Sequence, residues 1–110
     1  LYNNYASISY IIINNVNDNI SVFNNYSLDN NYPNPFNPST TISFNIPTSG
    51  FVSLKIFDAI GKEVATLIHD ILPAGKHNIT WNSKNFASGI YFYKLSSGKY
   101  VATKKMCLIK

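Results

Sequence analysis

Apolar and polar residues alternate with a period of two along most of the chain from residue 40 onwards. In a β-strand this period places successive side chains on opposite faces, so that one face is buried and the other faces water. The alternation predicts six strands: Thr40–Ile46, Phe51–Asp58, Lys62–Ile68, Lys76–Asn82, Ile90–Ser96 and Tyr100–Ile109. No window keeps a period of 3.6 residues, so we expect no long helix.

Glycine residues separate the predicted strands, and the apolar positions between them define a predicted core. The glycines are Gly50, Gly61, Gly75, Gly89 and Gly98. Turn signals at such intervals are typical of a β-sandwich or barrel, with a seventh strand supplied by the segment before residue 40. The predicted core residues are Leu54, Ile56, Trp81, Tyr93 and Leu95. The alternative role for Trp81 is a platform for stacking a ligand.

A proline-rich segment, which we call the arm, precedes the strands. It consists of Tyr32, Pro33, Asn34, Pro35, Phe36, Asn37 and Pro38. Its three prolines exclude a helix, and each one disfavours the helical conformation of the residue before it. We therefore predict a stiff, extended N-terminal arm, with Tyr32 and Phe36 as its apolar anchors.

Residues 1–31 are rich in asparagine and contain two short apolar runs, Ile8–Ile13 and Ile20–Phe23. They form either a hairpin around Asn14–Asn19 or the tail of a preceding domain followed by a linker, and we favour the second interpretation. The predicted organisation is thus a linker or tail at 1–31 and a β-sandwich domain at 32–110. No run reaches the ~18 apolar residues of a transmembrane helix. The chain begins with Leu1 without a signal-peptide pattern, which favours a piece of a longer precursor.

Composition and motifs argue against several classes of function. The nine basic residues are all lysine, and the lack of arginine argues against binding to nucleic acid. No pair of acids has the spacing of a general acid and base, and His69 and His77 lack the further ligands of a metal site. Cys107 has no partner for an internal disulfide, and its apolar surroundings predict a buried small hydrophobe. We therefore expect no catalytic residue, no cofactor and no metal.

Five blocks of the chain carry a resemblance to a known family. The blocks are Asn31–Phe44, Val52–Val64, Leu72–Asn82, Ala87–Leu95 and Lys104–Lys110. Their order and spacing over residues 26–110 resemble the type A C-terminal sorting domain of the type IX secretion system. That family is similar to the immunoglobulin-like domain of the flagellar hook-capping protein. The resemblance thus implies an all-β, immunoglobulin-like antiparallel sandwich of about seven strands. Phe86 and Cys107 depart from it, since leucine and valine are usual there.

The resemblance also implies a function, which is to direct a cargo protein of Bacteroidota-like bacteria through the periplasm to the cell surface or exterior. The implied partners are the outer-membrane translocon, a shuttle protein and a sortase. The sortase removes the domain, at a cut expected near residues 24–31, and can attach the cargo to lipopolysaccharide. The alternative function is a carbohydrate-binding or adhesion module of a secreted enzyme.

We assign recognition by the secretion machinery to the arm and to residues of the later blocks. These are Tyr32, Pro33, Asn34, Pro35, Phe36, Asn37, Pro38, Gly61, Lys62, Gly89, Tyr91, Lys104, Lys105, Met106 and Lys110. For Tyr91 we also expect a tyrosine corner, in which the hydroxyl bonds to backbone upstream. The C-terminal strand is either an edge that its lysines protect from aggregation or an edge to which a partner adds a strand.

Overall fold

The computed structural model describes residues 25–110, which fold into seven β-strands. The strands are β1 (Ser27–Leu28), β2 (Ser39–Ile46), β3 (Gly50–Asp58), β4 (Glu63–Leu72), β5 (Gly75–Asn82), β6 (Gly89–Ser97) and β7 (Tyr100–Leu108). Five of the six predicted strands agree with the observed strands to within one residue at each end. The apolar runs Ile8–Ile13 and Ile20–Phe23, with Asn14–Asn19 between them, lie outside the described residues.

The strands form two antiparallel sheets, and their apolar faces enclose one core. One sheet has three strands in the order β1-β2-β5, and the other has four in the order β4-β3-β6-β7. The β3–β4 and β6–β7 pairs are hairpins, whereas the β2–β3, β4–β5 and β5–β6 connections cross between the sheets. This arrangement confirms the prediction of an all-β, immunoglobulin-like sandwich.

Side chains at alternate positions of the strands fill the space between the two sheets. The residues for which the sequence predicts burial, Leu54, Ile56, Trp81, Tyr93 and Leu95, are buried. Further buried apolar residues include Ile42, Phe44, Ile46, Val52, Met106 and Leu108. Burying one large apolar side chain stabilises a fold by roughly 1.5–3 kcal/mol. Because Cys107 is the only cysteine, this packing holds the domain without an internal disulfide.

Strand β4 departs from strict alternation because its pairing with β3 contains two register shifts. One shift lies between Leu54 and Lys55, and the other lies between Ile56 and Phe57. An extra residue in one strand of a pair is a β-bulge, which interrupts the regular exchange of inward and outward positions. As a result both members of the pair Leu67 and Ile68 pack against the core. The irregular pattern explains why the predicted strand ends four residues before Leu72.

Residues 26–31 pack onto the sandwich, although the sequence places the domain boundary after residue 31. In β1, Leu28 is buried and lies opposite Phe44 of β2. The ring of Tyr26 stacks on that of Tyr100 with the ring centroids 4.8 Å apart. The folded unit therefore includes residues on the N-terminal side of the predicted boundary, and β1 is the seventh strand.

The phenol of Tyr93 joins this N-terminal segment to the core. Its side chain is fully buried, and its hydroxyl donates a hydrogen bond of 2.7 Å to the backbone carbonyl of Asp29. Burial raises the pKa of Tyr93 to about 12, because the ionised phenolate would lose its hydration inside the sandwich.

Replacing Tyr93 by phenylalanine is expected to lower the free energy of unfolding by about 1–2 kcal/mol, because this hydrogen bond is lost. The contribution of the neutral phenol is fully present below pH 10, the ordinary pKa of tyrosine, and is lost as the pH rises through about 12. Urea unfolding of the wild type and of Tyr93→Phe at neutral and alkaline pH should therefore show a difference in the free energy of unfolding that shrinks as the pH rises. A difference that grows with pH would contradict this account of Tyr93.

Candidate functional site

The arm crosses from one sheet to the other at one end of the sandwich, which we call the arm end. Tyr32 pairs with Thr41 of β2 in an antiparallel bridge. Four residues later, Phe36 pairs in parallel with the end of β7. The Phe36 N–H donates to the Cys107 carbonyl, and the Ile109 N–H donates to the Phe36 carbonyl, each over 3.0 Å. The peptide bonds before all three arm prolines are cis.

Side chains outside the arm hold it through its carbonyl groups, since proline offers no N–H. The Asn31 amide donates to the Pro33 carbonyl and to the Thr40 hydroxyl over 3.2 and 2.9 Å. The Thr40 hydroxyl in turn donates to the Pro33 carbonyl over 2.8 Å. At the other end of the arm, the hydroxyl and the N–H of Ser83 both donate to the Pro38 carbonyl. The arm is therefore fixed at both of its ends.

The two aromatic residues of the arm have opposite environments. Phe36 is 2% exposed and is the apolar anchor that the sequence predicts, whereas Tyr32 is 81% exposed. The prediction that Tyr32 anchors the arm is therefore wrong. Its backbone is occupied by the bridge to β2, and this pairing directs the side chain away from the core.

The environment of Cys107 also differs from the prediction. Met106 and Leu108 on either side of it point into the core, so the alternation of the strand turns Cys107 to the outer face. The residue is half-buried, and the prediction of a buried small hydrophobe is wrong. Its N–H donates to the side-chain oxygen of Asn34 over 3.0 Å, which adds a further link between β7 and the arm.

A cluster of aromatic rings lies beneath the arm. The indole of Trp81 is 4% exposed, and its centroid lies 5.8 Å from that of Phe36, 5.3 Å from Phe86 and 5.5 Å from Tyr91. Rings at such separations attract one another beyond the effect of simple burial. The burial of Trp81 excludes a ligand-stacking role for this residue and counts against the carbohydrate-binding alternative.

The predicted tyrosine corner joins the start of β6 to the connection that precedes it. The hydroxyl of Tyr91 donates to the backbone carbonyl of Ala87, four residues upstream, over 2.7 Å. This confirms the structural role that the sequence predicts for Tyr91. The corner fixes the path of the chain through Gly89 beside the end of β7.

The turn between β3 and β4 lies next to this corner. The Asp58 carboxylate accepts hydrogen bonds from the N–H groups of Ile60 and Lys62 over 3.1 and 2.9 Å. Ile60, at the tip of the turn, is 88% exposed. Ala59 and Ile60 line a shallow cleft together with Gly89 and neighbouring residues of the corner.

Replacing Gly61 by alanine is expected to lower the free energy of unfolding by about 1–2 kcal/mol. Gly61 has a φ of +91°, which residues with a side chain rarely adopt, while a Cβ at this position would meet no atom within 4 Å. The loss therefore comes from backbone strain alone. Thermal unfolding measures it. The matched variant Gly50→Ala, at a position with ordinary φ and equally open space, should change stability by less.

The predicted recognition residues near the C-terminus have different environments. Met106 is buried in the core, Lys104 is half-buried and Lys105 is exposed. Lys110 lies beside the tyrosine corner, where its N–H donates to the Ser88 hydroxyl over 2.9 Å. The arm occupies the end of the β7 edge, so a partner strand could pair only with the part of that edge before Cys107.

The candidate metal ligands considered from the sequence are His69 and His77. Within residues 25–110, no three His, Cys, Asp or Glu side chains are grouped so that they could hold a metal ion. His69 packs edge-on against Phe51 in the four-stranded sheet, and His77 stacks on Phe44 in the other sheet. Residues 25–110 contain no helix that is long and apolar enough to cross a membrane.

The structure brings most of the predicted recognition residues together at the arm end. The whole arm, the turn at Gly61 and Lys62, the corner at Gly89 and Tyr91, and Lys110 all lie at that end of the sandwich. Lys104 and Lys105 lie farther along β7, opposite Tyr93 and Phe92. Sequence reasoning missed Asn31, Thr40 and Ser83, because buried polar residues that bind backbone carbonyls resemble ordinary surface residues in a sequence.

The sandwich, the docked arm and the tyrosine corner define a small immunoglobulin-like β-module. The chain belongs to the family of secretion system C-terminal sorting domains, because the model of that family matches residues 30–110. This confirms the resemblance to the sorting domains of the type IX secretion system. Domains of this family act as sorting signals and are not catalytic. No curated protein and no solved structure matches the chain.

Proposed function

We propose that this domain directs a cargo protein through the type IX secretion system to the cell surface or exterior. The family match over residues 30–110 carries the proposal. The route passes through the periplasm, and the partners are the translocon, the shuttle protein and the sortase of that system. The domain itself contributes no chemistry, and lipopolysaccharide can be attached to the cargo after cleavage.

The arm end is the surface that we propose for recognition. Four exposed apolar side chains lie there, namely Tyr32, Ile60, Ile90 and Ile109, with exposed fractions between 36% and 88%. Exposed apolar groups that share one region are typical of protein-binding surfaces. The fixed arm and the corner support this role, because a surface that is already ordered loses little entropy when a partner binds.

For the sortase we propose a cut before Asn25, whose carbonyl accepts a hydrogen bond from the Asn45 amide. Part of the range that the sequence suggests, residues 26–31, is packed: Tyr26 stacks on Tyr100 and Leu28 is buried in β1. Proteases cleave exposed and unpaired backbone, so a cut within that segment would first require β1 to leave the sheet. A cut before Asn25 leaves these contacts intact.

Export of a fused reporter tests the proposal. Residues 1–110 are joined to the C-terminus of a periplasmic reporter in a host with a type IX system, and the reporter is assayed on intact cells and in the medium. We expect export in that host and periplasmic retention in a strain without the translocon. Retention in both strains would disprove the proposed function.

The arm end is tested in the same assay with a matched pair of variants. Ile60→Ser at the arm end should reduce export, because it removes an exposed apolar contact without touching the core. Ile71→Ser changes a residue that is 70% exposed at the far end of β4 and should leave export unchanged. Equal export of the two variants would exclude Ile60 from recognition. Deleting Lys104–Lys110 is a poorer test, because it also removes the core side chains of Met106 and Leu108.

A further inference from the structure

The outer faces of the two sheets have different chemistry. On the three-stranded sheet, strands β2 and β5 carry uncharged polar groups opposite one another: Thr41 faces Thr80, and Ser43 donates to Asn78 over 2.6 Å. Lys76 is the only lysine on β2 and β5. These polar groups pair with one another across the two strands, and the face presents little charge.

The outer face of the four-stranded sheet is basic and aromatic. The strand registers place residues in rows that cross the sheet from β4 to β7. One row reads Thr66, Lys55, Lys94 and Thr103, and the next row reads Glu63, Phe57, Phe92 and Lys105. A pair of lysines at the centre of the sheet thus lies next to a pair of half-buried phenylalanines.

The charges on this face are only partly neutralised by the described chain. Lys55 forms an ion pair of 3.4 Å with Glu63, whose pKa is lowered by the Thr66 hydroxyl and by Lys55 itself. Within residues 25–110, Glu63 is the acid of these rows, and Lys94 and Lys105 have no ion pair. Like charges directly opposite each other on neighbouring strands are unfavourable, so the Lys55–Lys94 pair does not stabilise the sheet.

We propose that the outer face of the four-stranded sheet is a second docking surface, and that it binds an acidic surface of a protein of the export machinery. Lys94 and Lys105 supply the unneutralised charge, and Phe57 and Phe92 supply a flat apolar floor beside it. Complementary charge attracts and orients such a partner. The identity of the partner as a machinery protein rests on the proposed function.

An acidic protein fits this face better than an anionic membrane. Proteins that lie on membranes insert apolar side chains beneath the lipid headgroups while their cations remain above. On this sheet the apolar side chains do not project outward: Phe57 and Phe92 are half-buried, whereas Lys94 and Lys105 are exposed. A flat protein surface can contact the exposed lysines and the half-buried phenylalanines at the same time.

A titration of the full chain with poly-L-glutamate tests the surface directly. Amide shifts in NMR spectra should be confined to β3, β6 and β7, and the half-saturation concentration should rise roughly tenfold in Lys94→Glu. The control Lys76→Glu makes the same change in net charge on the opposite sheet and should bind like the wild type. Equal weakening by both substitutions would show that only net charge matters and would overturn the proposal. Binding to phosphatidylglycerol vesicles without binding to poly-L-glutamate would also overturn it.

The thermal midpoint separates docking from a structural role. Lys94→Glu places a carboxylate directly opposite Lys55 on the neighbouring strand, so its midpoint should equal or exceed that of the wild type. A lower midpoint would make Lys94 a structural residue and would contradict the proposal.

The reporter fusion distinguishes this inference from the proposed function. If the wild-type fusion is exported, Lys94→Glu should lose most of that export and Lys76→Glu should not. Export of Lys94→Glu at the wild-type level would disprove the docking surface and leave the sorting function intact. If the wild-type fusion is itself retained, the sorting function fails, and the titration alone decides whether the acidic surface binds.

Discussion

Replacing Trp81 by alanine is expected to lower the free energy of unfolding by about 3–5 kcal/mol, as for other large aromatic side chains in protein cores. The indole is almost fully buried and contacts Phe36, Phe86 and Tyr91, so its loss leaves a cavity where the arm meets both sheets. Domains are stable by only about 5–15 kcal/mol, so the variant keeps a small margin. Urea unfolding followed by far-UV circular dichroism measures the change, since the variant has no tryptophan.

Two control variants show whether the effect comes from filling this cavity. Trp81→Phe keeps much of the apolar volume and should lose roughly 1–2 kcal/mol. Phe51→Ala removes a ring that is 48% exposed on the outer face, and it should have a smaller effect than Trp81→Ala. If Phe51→Ala were as damaging as Trp81→Ala, the cluster beneath the arm would not be the main source of stability.

Replacing Phe36 by alanine is expected to release the arm and to lower the free energy of unfolding by about 3 kcal/mol. The ring is 2% exposed, and the backbone of the same residue makes both hydrogen bonds to the end of β7. Without the ring, these bonds are exposed to water and open more often. Relative to the wild type, hydrogen exchange should therefore accelerate at the Phe36 and Ile109 amides and change less at amides in the centre of β6.

Tyr32→Ala is the matched control on the same arm. Its ring is 81% exposed, so stability and amide exchange should remain close to those of the wild type. Release of the arm by Tyr32→Ala would contradict the view that Phe36 alone anchors it. Since Tyr32 belongs to the proposed recognition surface, a loss of export with unchanged stability would separate its two possible roles.

Strands with one inward face could be predicted from the sequence. In β2, β3, β5 and β6 the inward positions are mostly apolar, with Thr40 and Ser97 as buried polar exceptions, so the period of two identifies both the strand and its buried side. The tyrosine corner was predictable because its partner lies only four residues upstream of Tyr91. In β4, the two bulges turn neighbouring residues to the same side, and the alternation no longer marks the strand.

Contacts between distant residues could not be predicted in this way. Strand β1 has two residues, of which only Leu28 is apolar, so it produces no pattern. The bond from Tyr93 to Asp29 spans 64 residues and ends on a backbone carbonyl, which every residue possesses. The row that contains Lys55 and Lys94 depends on the register of β3 against β6, which alternation within either strand does not determine.

The N-terminal packing has a mechanical consequence. The described chain enters the sandwich at Tyr26, beside the β6–β7 turn, and leaves it at Lys110, beside Ser88 at the opposite end of β6 and β7. A nine-residue strand spans roughly 30 Å, so a pull between these two points acts along the strands. Load in that direction shears the rows of hydrogen bonds together instead of opening them one after another. A force applied along the strands in this way must break many hydrogen bonds at once, so the domain resists unfolding in that direction.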